Sequence, residues 1–360
     1  MPLVLERRPE PSRLATLLSP LIAVALTLVF GIVMFAVMGK SPFQALYVYF
    51  VEPLTQWWGV TEVIVKATPL VLIAIGLSLC YRANVWNIGA EGQYTAGAIA
   101  GGFVALATHG TESMLILPAM LVAGAAAGAA YGLIPAVLRV RFGASEILTS
   151  LMLVYVAQLG LDWLVRGPWR DPQGFNFPQT VTFSDSATMP LLMEGGRLHI
   201  GAILALLGVM GAAVLLGRTL KGFEIKVIGA APRAGRFGGF SADRLVLFTF
   251  AVSGALAGLA GIGEVAGPMG QLLPTISPGY GFTAIIVAFL GRLDPVGILI
   301  AGLVLALSYI GGENAQIAMD IPLDLTRVFQ GVLLFFVLAC DAAAQFRLRR
   351  IGAVSPVPAE

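Results

Sequence analysis

Long apolar runs separated by short charged connections dominate this 360-residue sequence. Hydrophobic residues make up 58% of the chain and charged residues only 12%, whereas soluble domains contain roughly 25% charged residues. A run of about 20 apolar residues spans the hydrocarbon core of a bilayer as a helix. Since helices and closed barrels alone satisfy their backbone polar groups in lipid, the pattern predicts an all-α membrane protein, a polytopic helical bundle.

The apolar runs predict about ten transmembrane helices in a single domain over residues 15–343, between polar tails at 1–14 and 344–360. The eighth run is short and has Gly and Pro on both sides, so it is expected to form a partial or re-entrant helix near the translocation path. The runs are 15–38, 63–81, 84–107, 114–138, 146–165, 198–217, 244–263, 280–291, 295–311 and 325–343.

The basic residues predict the orientation of these helices. Most of the 22 Lys and Arg residues fall in alternate connections between the runs. Because cytoplasmic connections are enriched in Lys and Arg, both termini are expected to be cytoplasmic. Residues 166–197 then form an external loop and residues 218–244 a cytoplasmic segment.

Glycines four residues apart predict tight helix packing. Each set lines one face of its helix, where small side chains let neighbouring helices approach closely in lipid. The sets are Gly97/Gly101, Gly124/Gly128/Gly132 and Gly254/Gly258.

A polar stretch interrupts the third apolar run. An ionisable group at membrane depth costs about 2.5–3.5 kcal/mol on insertion scales and usually faces a pathway or a partner. The stretch therefore predicts a transport site, while the alternative that Glu91 caps a helix start stays open. The candidate pathway residues are Asn84, Asn87, Glu91 and Gln93.

The second half of the chain adds three candidates beside Gly and Pro breaks, Gln271, Tyr280 and Phe282. Broken segments at corresponding positions of two halves point to a central binding site. Two alternatives stay open: Phe282 is an interfacial packing residue, and Gln158 in the fifth run makes a helix–helix hydrogen bond.

Residues 222–241 predict a docking element on the cytoplasmic side. A short helix is expected from about Ala231 or Pro232 to Phe237, since Pro is favoured near a helix start and Gly238 and Gly239 end the helix. The segment is basic on one side and carries Phe237 and Phe240 as apolar anchors, which favours docking of a soluble partner. The alternative is a basic loop that only fixes orientation.

Motifs for catalysis are lacking in the sequence. Gly39-Lys40-Ser41 lacks the first glycine of a phosphate-binding loop, and neither a nucleophile elbow nor a metal-ligand spacing occurs among the two His and two Cys residues. The net charge of +2 gives no reason to expect nucleic-acid binding. We therefore expect no catalytic residue, no metal site and no cofactor in this chain.

Four motifs resemble the inner-membrane permease subunits of bacterial ABC importers, in the family that serves simple sugars, nucleosides and branched-chain amino acids. Their form is most similar to the nucleoside-type branch, and the resemblance extends over about residues 15–343. The motifs are NIGAEGQ at 87–93, SEILTSLMLVYVA at 145–157, GFEIKVIGAAPRAGRFGGFS at 222–241 and GYGFTAIIVAFLGRLDPVG at 279–297.

The resemblance implies an importer for nucleosides in the bacterial inner membrane, with 166–197 as a periplasmic loop. ATP and Mg would bind a separate cytoplasmic ABC ATPase, and the other partners would be a second, related permease subunit and an external solute-binding lipoprotein. Tyr280 and Phe282 would contact the base, and Asn87, Glu91 and Gln271 the ribose hydroxyls. The coupling residues would be Glu224, Gly229, Ala230, Pro232, Arg233, Arg236 and Phe237.

Three alternatives to a nucleoside importer remain at this point. The first is an ABC permease for simple sugars or branched-chain amino acids. The second is an ion-coupled secondary transporter, for which Glu91 is the embedded acid of interest but the docking segment has no purpose. The third is a structural subunit without a pathway, for which the polar break before the third run is hard to explain.

Overall fold

The computed structural model describes residues 3–7, 13–344 and 346–350. Apart from two short antiparallel strands, Leu3–Arg7 (β1) and Phe346–Arg350 (β2), the regular elements of this part of the chain are helices. The fold class, a polytopic helical membrane protein, is confirmed. The predicted tails at 1–14 and 344–360 lie partly outside the described residues, and their cytoplasmic placement stays a prediction.

Fourteen α-helices follow one another along the described chain. They are Arg13–Val37 (α1), Pro42–Leu46 (α2), Glu52–Thr55 (α3), Trp57–Arg82 (α4), Ala90–Ala107 (α5), Ile116–Phe142 (α6), Glu146–Arg166 (α7), Gly201–Arg218 (α8), Leu220–Ala230 (α9), Pro232–Phe237 (α10), Ala242–Glu264 (α11), Tyr280–Leu290 (α12), Pro295–Met319 (α13) and Asp324–Ala344 (α14). Two π-helical turns, Tyr47–Val51 and Val265–Met269, and a 3₁₀ turn at Asp185–Ala187 complete the set.

Every predicted apolar run coincides with one helix: α1, α4 to α8, or α11 to α14. Among the described residues, seven helices are long and apolar enough to cross a membrane, and α12 is apolar but shorter. The count of about ten crossings therefore stays a prediction. The third run differs from expectation at its start, because the helix begins at Ala90 and not at Asn84.

The chain forms two compact units. In the larger one, residues 49–314, α11 lies at the centre, and α4, α5 and α6 pack around it. In the same unit α7 packs on α5, and α12 packs on α4. The smaller unit comprises residues 1–48 and 315–360, where α1 packs against α14 and the rings of Phe35 and Phe329 lie 5.6 Å apart.

Glycine contacts hold the centre of the larger unit together. A Cβ atom on Gly97 of α5 would overlap the backbone of Gly258 of α11, and one on Gly254 would overlap that of Gly128 of α6. Only glycine permits these approaches, so the packing faces predicted from the four-residue spacing are confirmed for these pairs.

Candidate functional site

Helix α5 begins inside the larger unit, beside the middle of α7. Gly92 packs so closely on α7 that a Cβ there would lie 3.0 Å from the Cα of Val154. Val154 is eight residues after Glu146, the first residue of α7, and hence about 12 Å along a helix about 30 Å long. Residues 83–89 therefore enter the bundle as irregular backbone between α4 and α5, which membrane proteins tolerate where such backbone is buried in protein or lines a cavity.

A closed network of side-chain hydrogen bonds holds this entering segment. Asn87 Nδ2 donates to Gln93 Oε1 at 3.0 Å and to Ser253 Oγ at 3.1 Å. Asn87 Oδ1 accepts from Gln93 Nε2 at 3.1 Å and from the Gly89 N–H at 3.0 Å. Asn87 and Gln93 are both buried, and each polar atom of the Asn87 side chain is engaged. This geometry favours a bracing role for the two amides over solute contact, and their pathway role stays a prediction.

Glu91 joins the starts of two helices. It lies in the first turn of α5, and its Oε2 accepts from the N–H of Gly281, the second residue of α12, at 2.5 Å. Unpaired N–H groups and the helix dipole favour negative charge at a helix N-terminus. The carboxylate therefore serves two N-termini at once. The capping interpretation of Glu91 is supported, with α12 as the helix that it caps.

A cavity of about 360 Å³ lies beside Glu91, between α5, α7 and residues 274–277; we call it the α7 cavity. Glu91 Oε1 is buried and has no hydrogen-bond partner among the described residues. The cavity lining described here includes two carboxylates and no cationic side chain. The polar and aromatic residues of the lining are Glu91, Thr95, Tyr155, Gln158, Asp162, Thr275 and Ser277.

Tyr280 lies apart from the α7 cavity, in a buried aromatic group. It is 0% exposed, and its ring centroid lies 6.2 Å from that of Tyr94 and 5.7 Å from that of Tyr309, both edge to face. Its hydroxyl donates to Glu264 Oε1 at 3.5 Å. The Lys66 ammonium lies 5.9 Å from the Tyr280 ring centroid, so the ring is closed off by protein on several sides.

Charged side chains from several elements pair around Tyr280. Arg197 donates to both carboxylate oxygens of Glu62, at 3.1 and 2.5 Å, although Glu62 is only 1% exposed. This hydrogen bond raises the pKa of Arg197 above its usual value. Lys66 pairs with Glu313 at 3.5 Å. The group ties the loop before α8 to α4, and α4 to α13.

The other predicted pathway residues are not gathered at one place. Asn84 is exposed and has a φ of 56°, a left-handed conformation that Asn adopts more readily than most residues. Phe282 is 39% exposed, and Gln271 is half-buried. Of the predicted pathway residues, Glu91 alone belongs to the lining of the α7 cavity.

Sequence reasoning missed Tyr155, Asp162 and Ser277 as site residues, and it treated Gln158 only as a packing residue. A usable signal was present, since Tyr155, Gln158 and Asp162 recur at spacings of three and four and therefore share one face of α7. Ser277 gave no such signal. Its hydroxyl oxygen accepts from the N–H groups of Gly279 and Tyr280 at 3.0 and 2.9 Å and so caps α12.

The basic segment after α8 forms two short helices. The predicted helix is confirmed as α10, which has Pro232 as its first residue and ends before Gly238 and Gly239, the latter with a φ of 80°. Gly235 packs on Ile228 of α9. Around this single anchor the rest of α10 is exposed.

The predicted coupling residues divide into two groups. Glu224 is buried and accepts from Lys221 Nζ at 2.6 Å. A Cβ on Gly229 would overlap the carbonyl oxygen of Arg82 at the end of α4. Gly229 therefore holds α9 against the end of α4, whereas the Lys221–Glu224 pair lies within α9 itself. The residues that face solvent are Ala230, Pro232, Arg233, Arg236 and Phe237, and Phe237 is 96% exposed.

Comparison with known proteins places the chain in a family. Residues 59–338 match the family model described as "Branched-chain amino acid transport system / permease component". The glucose ABC transporter permease protein of Haloferax volcanii is 38% identical over 340 residues, which is 92% of this chain and 89% of that protein.

Two further relatives are named as permeases for nucleosides. The guanosine ABC transporter permease protein of Bacillus subtilis is 31% identical over 350 residues, covering 95% of this chain and 99% of that protein. The nucleoside ABC transporter permease protein of Lactococcus lactis is 29% identical over 328 residues, covering 89% and 90%. No solved structure matches the chain. The chain belongs to the branched-chain amino acid transport system permease family and is a multi-pass ABC-type permease subunit.

Proposed function

We propose that this chain is one of two permease subunits of an ATP-driven importer that takes up nucleosides across a bacterial inner membrane. ATP and Mg bind the cytoplasmic ABC ATPase, and a solute-binding lipoprotein delivers solute from outside. Both termini of the permease are cytoplasmic. The family match supports the permease role, and the relatives named for guanosine and nucleosides support the solute.

The observation that carries ATP coupling is the exposure of α10. Phe237 is 96% exposed. It is the last residue of α10 and follows the exposed cations Arg233 and Arg236. A large exposed apolar side chain among cations is typical of a docking surface, and aromatic residues and Arg are frequent binding hot spots. Since α9 contacts the end of α4 through Gly229, movement of a partner at α10 is transmitted to the bundle. An ion-coupled transporter has no need of such a helix.

Phe237→Ala tests this assignment. Phe142 at the end of α6 is 76% exposed and is predicted to lie on the same side of the membrane, so Phe142→Ala is the matched control. Phe237→Ala is expected to insert and to unfold at the wild-type temperature, because its ring has little to lose in the folded chain. The Phe237→Ala variant should, however, no longer co-purify with the ATPase in mild detergent. Equal recovery of an ATPase with both variants would refute the docking role.

Sugars form a second candidate solute class. The relative that is 38% identical is a glucose permease, and glucose and nucleosides share a hydroxylated sugar ring. Uptake of labelled uridine and labelled glucose by the complete importer, each in competition with the other, distinguishes the two. Nucleoside import predicts saturable uridine uptake that excess glucose leaves unchanged, and the reverse result would assign the chain to sugars.

A further inference from the structure

One carboxylate oxygen beside the α7 cavity lacks a partner. Glu91 uses Oε2 for the N–H of Gly281, while its Oε1 is buried and has no hydrogen-bond partner among the described residues. Leaving such an oxygen unsatisfied costs free energy. The Ser277 hydroxyl of the same lining also lies within reach of the Glu91 side chain. A hydroxyl or N–H group of a bound molecule would therefore donate to Glu91 beside Ser277.

Helix α7 contributes a polar face to the lining of the cavity. Tyr155 is 56% exposed, Gln158 is exposed, and the Asp162 side chain is 39% exposed. Gln158 lies near the middle of this membrane helix, where a polar group facing lipid is unfavourable and usually marks a pathway. This face of α7 therefore borders water or a polar molecule.

The polar side chains that α5 and α7 contribute to the lining suit a hydroxylated ring. Carboxylate oxygens accept hydrogen bonds from hydroxyls, and a side-chain amide both donates and accepts. Thr95 donates its own proton to the backbone oxygen of Glu91 at 2.9 Å, so its lone pairs remain available as acceptors. Tyr155 offers an aromatic face to the less polar face of a ring.

The charges at the walls select against anions. The described lining contains the carboxylates of Glu91 and Asp162 and no Lys, Arg or His. Arg166, which donates to Asp162 at 2.7 Å, is not part of the lining. A phosphate in the cavity would meet the carboxylates of Glu91 and Asp162, and of these two only Asp162 has a cation, Arg166, beside it.

We infer that the α7 cavity binds a neutral, hydroxylated sugar ring, either a free sugar or the ribose of a nucleoside. Glu91 and Gln158 hold ring hydroxyls, and Tyr155 contacts the ring face. The two carboxylates disfavour phosphorylated sugars and nucleotides, and an amino acid such as leucine lacks the ring hydroxyls that the site would hold. The inference rests on the proposed function and adds the location of the solute site and its selection by charge.

Protection of an introduced thiol tests the site. Gln158→Cys is made in a chain whose two cysteines, Cys80 and Cys340, are replaced by alanine, and its reaction with a charged thiol reagent is timed in the purified complex. Uridine or glucose at millimolar concentration is expected to slow the reaction at least threefold, and which of them does so identifies the source of the ring. Uridine monophosphate and leucine are expected to leave the rate unchanged. Met210→Cys on the exposed face of α8 is the control, and none of the four compounds should alter its rate.

Three results would overturn the inference. One is an unchanged rate with both neutral compounds, and another is equal protection by uridine monophosphate or leucine. Protection at Gln158→Cys and Met210→Cys alike would also overturn it, since the effect would then not belong to the cavity.

Transport by a second pair of variants separates this inference from the proposed function. Gln158→Leu should lower ATP-driven uptake roughly threefold to tenfold through loss of one hydrogen-bonding group, with ATPase recovery unchanged. Gln316→Leu, the same change at an exposed amide of α13, should transport as the wild type does. If the wild-type importer transports neither probe with ATP, the proposed function fails. If the wild type transports and Gln158→Leu equals it, only the site is refuted.

Discussion

Gly281→Ala tests how closely the N-termini of α5 and α12 approach each other, because it adds one methyl group between them. A Cβ on Gly281 would lie 2.6 Å from the Cα of Glu91 and 2.8 Å from its Cβ, whereas ordinary contacts begin near 3.4 Å. Because the nearest atoms include backbone, Gly281→Ala must separate the two helix starts by about 1 Å. The hydrogen bond from Gly281 to Glu91, 2.5 Å long, then stretches to about 3.5 Å and is largely lost.

The free energy of unfolding should fall by about 2–5 kcal/mol. A hydrogen bond to a charged group contributes about 1.5–3 kcal/mol, and overpacking costs about 1–3 kcal/mol. The lower backbone entropy of Ala in the unfolded chain offsets about 0.5–1 kcal/mol of this. Gly281 has a negative φ in the helix, so Ala adds no cost of backbone strain to the sum.

Thermal unfolding in detergent measures the effect. Gly160→Ala in α7 is the matched control, since a Cβ there meets nothing within 4 Å, and its midpoint should equal or slightly exceed that of the wild type. A Gly281→Ala protein that unfolds at the wild-type midpoint would refute the close meeting of the two N-termini. It would also remove the basis for the capping role of Glu91.

Three further substitutions test the buried polar side chains of Glu91, Asn87 and His199. Glu91→Gln keeps one oxygen for the Gly281 N–H but loses the charge and the free Oε1, so uptake should fall roughly tenfold. Recovery of the folded complex on size exclusion should be preserved. An equal loss of uptake and of folded complex would contradict this prediction. Asn87→Ala removes both hydrogen bonds of the Gln93 side chain and one of Ser253, so thermal unfolding should show a loss of about 2–4 kcal/mol. An unchanged midpoint would contradict the bracing role. Burial lowers the pKa of His199 to about 4 from about 6.5 unfolded. The unfolded chain therefore binds more protons, and stability should fall by up to about 3 kcal/mol between pH 6.5 and pH 4, a loss that His199→Gln should largely remove in unfolding measured against pH.

Local patterns predicted much of the fold. The bounds of α10 followed from Pro232 and from the Gly238–Gly239 pair, because the start and stop preferences of these residues act within a few positions. The short helix α12 was predicted at 280–291 and extends over Tyr280–Leu290. The tight packing of α5, α6 and α11 was visible in glycine spacing, since that spacing sets which helix faces are smooth.

Contacts distant in sequence decided what local patterns missed. The third apolar run was predicted to begin at residue 84, whereas the helix begins at Ala90. In the irregular residues before it, Asn87 bonds to Ser253, 166 residues away in sequence. Tyr280 packs between Tyr94 and Tyr309, contacts that its local sequence does not indicate, and its role in the pathway stays a prediction. The sequence shows that a residue is polar or aromatic. Only the folded chain shows which neighbours hydrogen-bond to it or pack against it.

The central claim is that this permease moves solute only when coupled to ATP hydrolysis on a partner chain. The most direct test is initial uptake of labelled uridine and glucose into proteoliposomes that contain the co-purified complex and its solute-binding protein. Solute is expected to accumulate with ATP and no imposed ion gradient, and not to accumulate with a non-hydrolysable analogue. Accumulation driven by a proton or sodium gradient without ATP would contradict it and would assign the chain to ion-coupled transport.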